Sequence, residues 1–201
     1  MHIPTGNTYD KYGSKNPIEH RLVRAFLRNL EECLPDAAPD TVLEIGLGEG
    51  EIAGRVKQHY TKATVTGIDL PDRNLAAEWL RRGVVGVFGD AAALPFKDKS
   101  ADLVLAIEVL EHLPDPEAAL REIARVARLR VILSVPWEPV WRIGNVLRGK
   151  YLREWGNTPG HIQHWSRKGF VQLVDRYLSV VDLRRSPPWT MVVAEASSSG
   201  Q

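Results

Sequence analysis

The sequence has few of the features that mark a secreted, membrane or nucleic-acid-binding protein. Its single cysteine, Cys33, cannot form an internal disulfide, and its place in an apolar-periodic stretch predicts a small core residue. No stretch is long and apolar enough to span a bilayer, and the first 17 residues contain no hydrophobic signal core. We therefore expect a cytoplasmic protein without stable membrane insertion.

The charge is also nearly balanced, with 26 Lys and Arg residues against 25 Asp and Glu residues. A net charge of +1 at pH 7 gives no global field for nucleic acid or for an anionic membrane. We therefore expect no nucleic-acid partner. The 201 residues, 44% of them hydrophobic, fit one compact domain with a sizeable core.

Short apolar segments alternate with helical patterns from Thr41 onward, which predicts a parallel sheet covered on both faces. Two further strands joined by a Pro-containing turn predict an antiparallel pair at the end of the sheet. The whole chain, 1–201, is expected to form one domain, with an irregular arm at 1–17 and a tryptophan-rich insert at 137–165 on the substrate side. Predicted strands are 41–46, 63–70, 84–88, a fourth beginning at 101, 130–135, 179–189 and 190–196; predicted helices are 18–34, 49–60, 72–82, 117–128 and 166–178.

Three glycines follow the first strand in the segment EIGLGEG and open a helix: Gly46, Gly48 and Gly50. Glycine lets the backbone turn tightly and approach a ligand closely, and ligands of open parallel sheets lie at the carboxyl ends of the strands. The dinucleotide fingerprint needs a further glycine at position 51, which is Glu51 here. The spacing therefore argues against a dinucleotide.

Acidic residues accompany the ends of successive predicted strands. Glu44 and Glu49 flank the glycines and would repel phosphates, whereas they suit a ligand with positive charge. S-adenosylmethionine has both an ammonium and a sulfonium group. Asp69 could accept hydrogen bonds from both ribose hydroxyls, and Asp90 from the adenine amino group, with Glu108 following the fourth strand.

Four segments in order, VLEIGLGEG, GIDL, GDAAALPFKDKSADLVLAIEVLEHLPDP and SVPWEP, resemble the motifs of class I S-adenosylmethionine-dependent methyltransferases, specifically the methyltransferase-11 group, over residues 41–136. The resemblance implies an α/β fold: a Rossmann-like three-layer sandwich whose seven-stranded, mostly parallel sheet has the order 3-2-1-4-5-7-6, with strand 7 antiparallel. It implies S-adenosyl-L-methionine as cofactor and S-adenosyl-L-homocysteine as product. The implied cofactor-binding residues are Glu44, Gly46, Gly48, Gly50, Asp69, Leu70, Asp90, Ala91, Ile107 and Glu108.

The resemblance also implies roles by position. The glycines would line the methionine part and the ribose, Asp69 would hold the ribose, Asp90 and Ala91 the adenine, and Ile107 and Glu108 the methionine portion. Structural alternatives stay open for these residues. The glycines could serve only the turn, Asp69 could cap the turn after it, and Asp90 could cap a short helix at 91–94.

Three histidines are candidates for a catalytic base. His112, in EHLPD, is interpreted as a structural or cofactor-edge residue, with catalysis as the alternative, and Glu111 beside it as solvated or capping. His161 and His164, in TPGHIQHW, either fix a lid by hydrogen bonds or serve as general base. The H-x-x-H pair lacks an evident third ligand, so no metal is expected.

The acceptor is predicted from the insert. Six basic residues against two acids between 137 and 168 favour an acceptor with a phosphate, carboxylate or nucleotide group. The favoured function is O- or N-methylation of a small molecule: a sugar, a natural product or a lipid-linked intermediate. A methyltransferase acting on a macromolecule would need a basic face or an appended module, and a non-catalytic S-adenosylmethionine-binding scaffold is the other alternative. A homodimer is possible if the insert tryptophans pack between two chains.

Overall fold

The computed structural model describes residues 17–72, 74–137 and 162–196. The helices in these ranges are α1 (Pro17–Cys33), α2 (Glu51–His59), α3 (Leu75–Arg81), α4 (Pro116–Val126) and α5 (Arg167–Val174), with a 3-10 turn at Leu110–His112. The strands are β1 (Thr41–Ile45), β2 (Thr64–Asp69), β3 (Val85–Phe88), β4 (Ala101–Ile107), β5 (Ala127–Pro136), β6 (Ser179–Ser186) and β7 (Trp189–Glu195). Almost all of the predicted arm and most of the insert lie outside the described residues.

The sheet confirms the predicted topology. Its order is β3-β2-β1-β4-β5-β7-β6, and β7 runs antiparallel to both of its neighbours while the other pairs are parallel. The chain moves outward from β1 to β3 and then returns to β4 on the other side of β1. A ligand site is expected at this reversal, outside the carboxyl ends of β1 and β4.

Helices cover both faces of the sheet, which confirms the three-layer sandwich. One core layer includes Phe26 of α1, Val56 of α2 and Trp79 of α3, and the other includes Leu120 of α4 and Phe170 of α5. All seven residues of β4 are buried, as expected for a central strand with helices on either side. No described helix combines the length and the apolar character needed to cross a membrane.

Cys33 lies in the core beneath α1, as predicted. Its side chain is buried, and burial raises the pKa of its thiol to about 11. The thiolate is the reactive form of cysteine, so this residue packs as a small hydrophobe and is chemically inert near neutral pH.

The fifth helix begins where the sequence predicted but ends earlier. The Ser166 side chain accepts a hydrogen bond from the Gly169 N–H at 3.1 Å, so the predicted N-cap is confirmed. The helix ends at Val174 and not at 178, because the Tyr177 and Leu178 N–H groups both donate to the Val174 carbonyl and tighten the chain into a turn.

A buried carboxylate joins three segments at the amino edge of the sheet, opposite the expected ligand site. Asp102, 3% exposed, accepts hydrogen bonds at 3.0 Å from the Asp40 and Thr41 N–H groups and from the Thr41 hydroxyl, and it pairs with Arg128. Burial alone would raise the pKa of Asp102, but the bonds from Thr41 and Arg128 together hold it below its ordinary value of 3.8.

The Asp102→Asn variant is expected to lower the free energy of unfolding at pH 7 by about 1–3 kcal/mol, because an amide nitrogen would face donors that now meet a carboxylate. A folded-state pKa below the unfolded value of 3.8 gives stability that is present above it and lost as pH falls through the folded pKa. The gap between parent and variant should therefore close below about pH 4 in urea denaturation. The exposed Asp36→Asn variant is the control, and an equal loss in both would contradict the role of Asp102.

Candidate functional site

The loop after β1 is tightly packed on one side and open on the other. Gly46, Gly48 and Gly50 all have left-handed backbone angles, with φ of +72°, +50° and +75°. A Cβ on Gly46 would come within 2.3 Å of a Val109 methyl, so the loop after β4 presses directly on this backbone. A Cβ on Gly48 would meet nothing within 4 Å. The open backbone at Gly48 is therefore where a ligand can approach most closely.

A tryptophan that the sequence did not single out holds this loop in place. The Trp79 indole N–H donates to the Gly48 carbonyl at 2.7 Å, and the ring packs against Gly50 and Gly86. Trp79 is 3% exposed. The sequence did not predict this hydrogen bond, because it joins Trp79 to a loop 31 residues away and depends on tertiary packing. The result is a preorganised loop whose open side stays at Gly48.

Asp69, at the end of β2, reaches across to the same loop. One carboxylate oxygen accepts from the Gly48 N–H at 2.5 Å, and the other accepts from the Leu70 N–H at 2.7 Å. Burial raises the pKa of Asp69, and these two backbone hydrogen bonds oppose that rise. Each oxygen keeps a further lone pair, so the carboxylate can still accept from ligand hydroxyls. The ribose role of Asp69 stays a prediction that this geometry permits.

Asp90 lies beside Asp69 because the Gly89 N–H donates to the Asp69 carbonyl at 2.9 Å. The exposed Asp90 accepts from the Ala92 N–H at 2.8 Å through its carboxylate and from the Ala93 N–H at 3.0 Å through its carbonyl. Asp90 thus caps a turn, and the helix considered for 91–94 does not form. Ala91 in this turn is half-buried, and the adenine roles of both residues stay predictions.

Glu108 has a backbone conformation that is rare for a residue with a side chain. Its φ is +60°, its N–H donates to the Ser134 carbonyl at 3.0 Å, and the Ser134 hydroxyl donates to its carboxylate at 3.1 Å. A left-handed non-glycine residue costs on the order of 1–3 kcal/mol and is commonest at functional sites. Ile107 just before it is buried at the end of β4, opposite Ser134.

Glu44 lies inside the sheet and not in the loop. It is 2% exposed and pairs in register with Gly67 of β2 and Leu105 of β4. With Asp69 at the end of β2 and Glu108 just after β4, it makes three acidic residues on adjacent strands or directly after them, and of these Asp69 contacts the loop. These acceptors fit a cationic ligand with hydroxyl groups, such as S-adenosylmethionine, and disfavour a pyrophosphate.

The expectation that Glu111 is solvated is wrong, whereas a capping role is not tested. Glu111 is 1% exposed, and its backbone carbonyl accepts from the Ile162 and Gln163 N–H groups at 2.9 and 3.1 Å. Segment 162–165 therefore lies against the 3-10 turn that follows β4. Sequence patterns missed this contact, since it joins positions about 50 residues apart.

The histidine candidates flank this contact. His112 is exposed, and its Nε2 atom lies 3.9 Å from the Glu111 carboxylate. His164 is exposed on the docked segment, while His161 lies outside the described residues. His112 and His164 are thus both close to the turn after β4, and their catalytic roles stay predictions. Across the residues that the structure describes, no group of three His, Cys, Asp or Glu side chains is placed to hold a metal ion.

Residues 43–134 match the family model for a methyltransferase domain. This stretch contains the glycine loop, Asp69, Asp90 and Glu108, together with most of the sheet. This part of the chain is therefore similar to a methyltransferase domain, and the structure has the fold of class I S-adenosylmethionine-dependent methyltransferases. The match and the strand order agree with the resemblance seen in the sequence and with the cofactor that it implied.

Several proteins similar to this chain are named as methyltransferases. The 27-O-demethylrifamycin SV methyltransferase of Amycolatopsis mediterranei is 40% identical over 47% of this chain and 37% of its own length. The fatty-acid O-methyltransferase of Mycolicibacterium smegmatis is 38% identical over 46% of this chain and 35% of its own. This chain thus spans under two fifths of either relative. A SAM-dependent methyltransferase structure from Aquifex aeolicus shares the fold, with a TM-score of 0.70 at 19% identity, over 94% of this chain and 100% of its own.

Proposed function

We propose that this protein transfers a methyl group from S-adenosylmethionine to an oxygen or nitrogen atom of a small molecule. The observation that carries the proposal is the meeting of the open Gly48 backbone, the Asp69 carboxylate and the strained Glu108 at adjoining strand ends. When bound, the cofactor supplies an electrophilic methyl group on a sulfonium. The family match over 43–134 supports the same reaction class.

In this proposal the chain's own residues bind the cofactor and orient the acceptor. Asp69 accepts from the ribose hydroxyls, Asp90 and Ala91 hold the adenine, and the Gly48 backbone borders the ribose and methionine. Glu108, fixed by Ser134, faces the methionine portion. No covalent intermediate on the protein is needed, because holding the acceptor in line with the methyl group supplies a large part of the rate.

Residues beyond the turn after β4 would receive the acceptor. The chain 1–201 acts as one domain in this proposal, and the arm at 1–17 and the insert at 137–165 close over the acceptor side. The relatives named for demethylrifamycin SV and for a fatty acid support a small organic acceptor, and several basic residues in the insert favour an anionic one.

The direct test is calorimetry with S-adenosylmethionine, followed by transfer of a labelled methyl group to a panel of hydroxyl, carboxyl and amine acceptors. Binding with transfer to at least one small molecule is the expected result. Absence of binding at millimolar cofactor would leave the scaffold alternative. Transfer only to nucleic acid or protein would support the macromolecular one.

A base is needed for an alcohol acceptor, and the proposal assigns this role to one of the histidines near Glu111. We expect either His112→Gln or His164→Gln to lower kcat/KM for a hydroxyl acceptor by about 10²- to 10⁴-fold, with cofactor affinity unchanged. The exposed His59→Gln variant is the control. Full activity in both variants would leave His161 as the remaining histidine candidate. If a His161→Gln variant were also fully active, histidine would be removed from the mechanism.

A further inference from the structure

Two arginines, Arg167 and Arg185, lie on the same face of the sheet near the end of β5. Trp137 follows β5, and its N–H donates to the Pro188 carbonyl at 2.8 Å, which fixes it against the turn between β6 and β7. The Arg167 guanidinium carbon lies 3.5 Å from the centroid of the Trp137 ring. Arg167 is the first residue of α5, so this stack lies at the amino end of that helix.

The sheet register brings the second arginine to the same face. Arg185 of β6 is opposite Thr190 of β7, and Thr190 is opposite Val135 of β5. Directly opposite residues of an antiparallel pair point to the same face. Val135 belongs to the core layer beneath α4 and α5, so Arg185 and Thr190 share that face. Trp137 lies two residues beyond Val135 and continues the same row.

The polar groups of this cluster are not matched by acceptors in the described part of the chain. The Arg167 Nε atom and the Thr190 hydroxyl are shielded from solvent and have no hydrogen-bond partner there, and Thr190 is 1% exposed. Arg125, Arg128 and Arg176 each pair with a carboxylate, whereas in residues 17–72, 74–137 and 162–196 neither Arg167 nor Arg185 does.

The electrostatics of this cluster favour the binding of an anion. Burial, and then the charge of Arg185, hold the pKa of the Arg167 guanidinium below its ordinary value. Two like charges and a buried unpaired donor are costly to keep together. A bound oxyanion would remove the repulsion, accept from the guanidinium groups and gain from the dipole of α5.

We propose that Arg167 and Arg185, with the Trp137 ring and the Thr190 hydroxyl, form a subsite for a carboxylate or phosphate group of the methyl acceptor. The subsite lies at the carboxyl end of β5, next to the turn after β4 that adjoins the cofactor loops. The Trp137 ring holds one guanidinium plane, as suits two-pronged recognition of an oxyanion. Only the identity of the ligand as acceptor rests on the proposed function.

The test is a titration with inorganic phosphate and, separately, with acetate, monitored through the arginine Nε–H resonances of labelled protein and by calorimetry. We expect a saturable shift of the Arg167 Nε–H signal, which the Arg167→Gln spectrum identifies. Arg167→Gln and Arg185→Gln should each weaken anion affinity by about tenfold or more. The Arg24→Gln variant removes one exposed positive charge on the opposite face of the sheet and should leave the affinity unchanged.

The outcomes separate the two possible groups. Tighter phosphate binding indicates a phosphorylated acceptor, and tighter acetate binding indicates a carboxylate. No saturable shift up to about 50 mM of either anion, or equal affinity in Arg167→Gln and Arg24→Gln, would overturn the subsite. The titration needs no turnover, so a failure of methyl transfer would be seen separately.

Discussion

The Gly48→Val variant is expected to stay folded and to lose S-adenosylhomocysteine binding by roughly 100-fold or more. The reason is geometric: a side chain at this position enters open space, within which the cofactor would pass over the loop. The left-handed φ of +50° adds a folding cost of about 1–2 kcal/mol for any residue with a Cβ. Calorimetry measures the binding loss, and urea denaturation measures the folding cost.

Gly83 offers a matched control for this experiment. It also has a left-handed φ, +67°, and a Cβ there would likewise meet nothing within 4 Å, but it lies at the end of α3. Gly83→Val should therefore show a similar folding cost with unchanged cofactor affinity. If both variants bind S-adenosylhomocysteine equally well, the cofactor does not pass over Gly48.

The Asp69→Ala variant is expected to weaken S-adenosylmethionine binding by about 1–3 kcal/mol, or about 5- to 150-fold in Kd. Asp69 contributes in two ways, since it offers acceptors to a ligand and also holds the Gly48 N–H. Asp69→Asn should lose less, because its amide oxygen can keep one of these contacts.

The control for Asp69 is three residues away. Asp72 caps the Asn74 N–H at 2.9 Å and does not contact the glycine loop through any described hydrogen bond. Asp72→Ala should therefore retain full cofactor affinity. An unchanged titration for Asp69→Ala would remove Asp69 from the ribose role, whatever the result for Asp72.

The type and sequence of the fold's elements could be predicted because their signals are local, whereas the strand order was implied by the resemblance. The positions of the strands, the breaks at Pro and Gly, and the cap at Ser166 are set by residues close in the chain, although β5 is longer than predicted. The meeting of Asp69 and the glycine loop could be predicted from the parallel sheet, because the carboxyl ends of parallel strands lie at one edge.

The missed features all depend on contacts between distant segments. Trp79 was not singled out in the sequence, because its hydrogen bond to Gly48 forms only when α3 packs against β3 and brings the indole to the loop after β1. Glu111 was expected at the surface because a lone acid usually is, yet the chain at 162–163 covers it. The placement of Arg185 on the same face as Trp137, over which Arg167 lies, depends on the register of β6, β7 and β5, which no local pattern specifies.

The position of β7 also shapes the order of events during synthesis. It is the last of the seven strands to leave the ribosome. It nevertheless occupies the interior of the sheet, between β5 and β6, with Glu195 opposite Arg130 in the strand register. Until residue 195 emerges, the apolar β5 has an unpaired edge, of the kind that promotes mispairing between chains. The nascent protein must therefore keep five parallel strands and an open edge soluble before its final hairpin can close the gap.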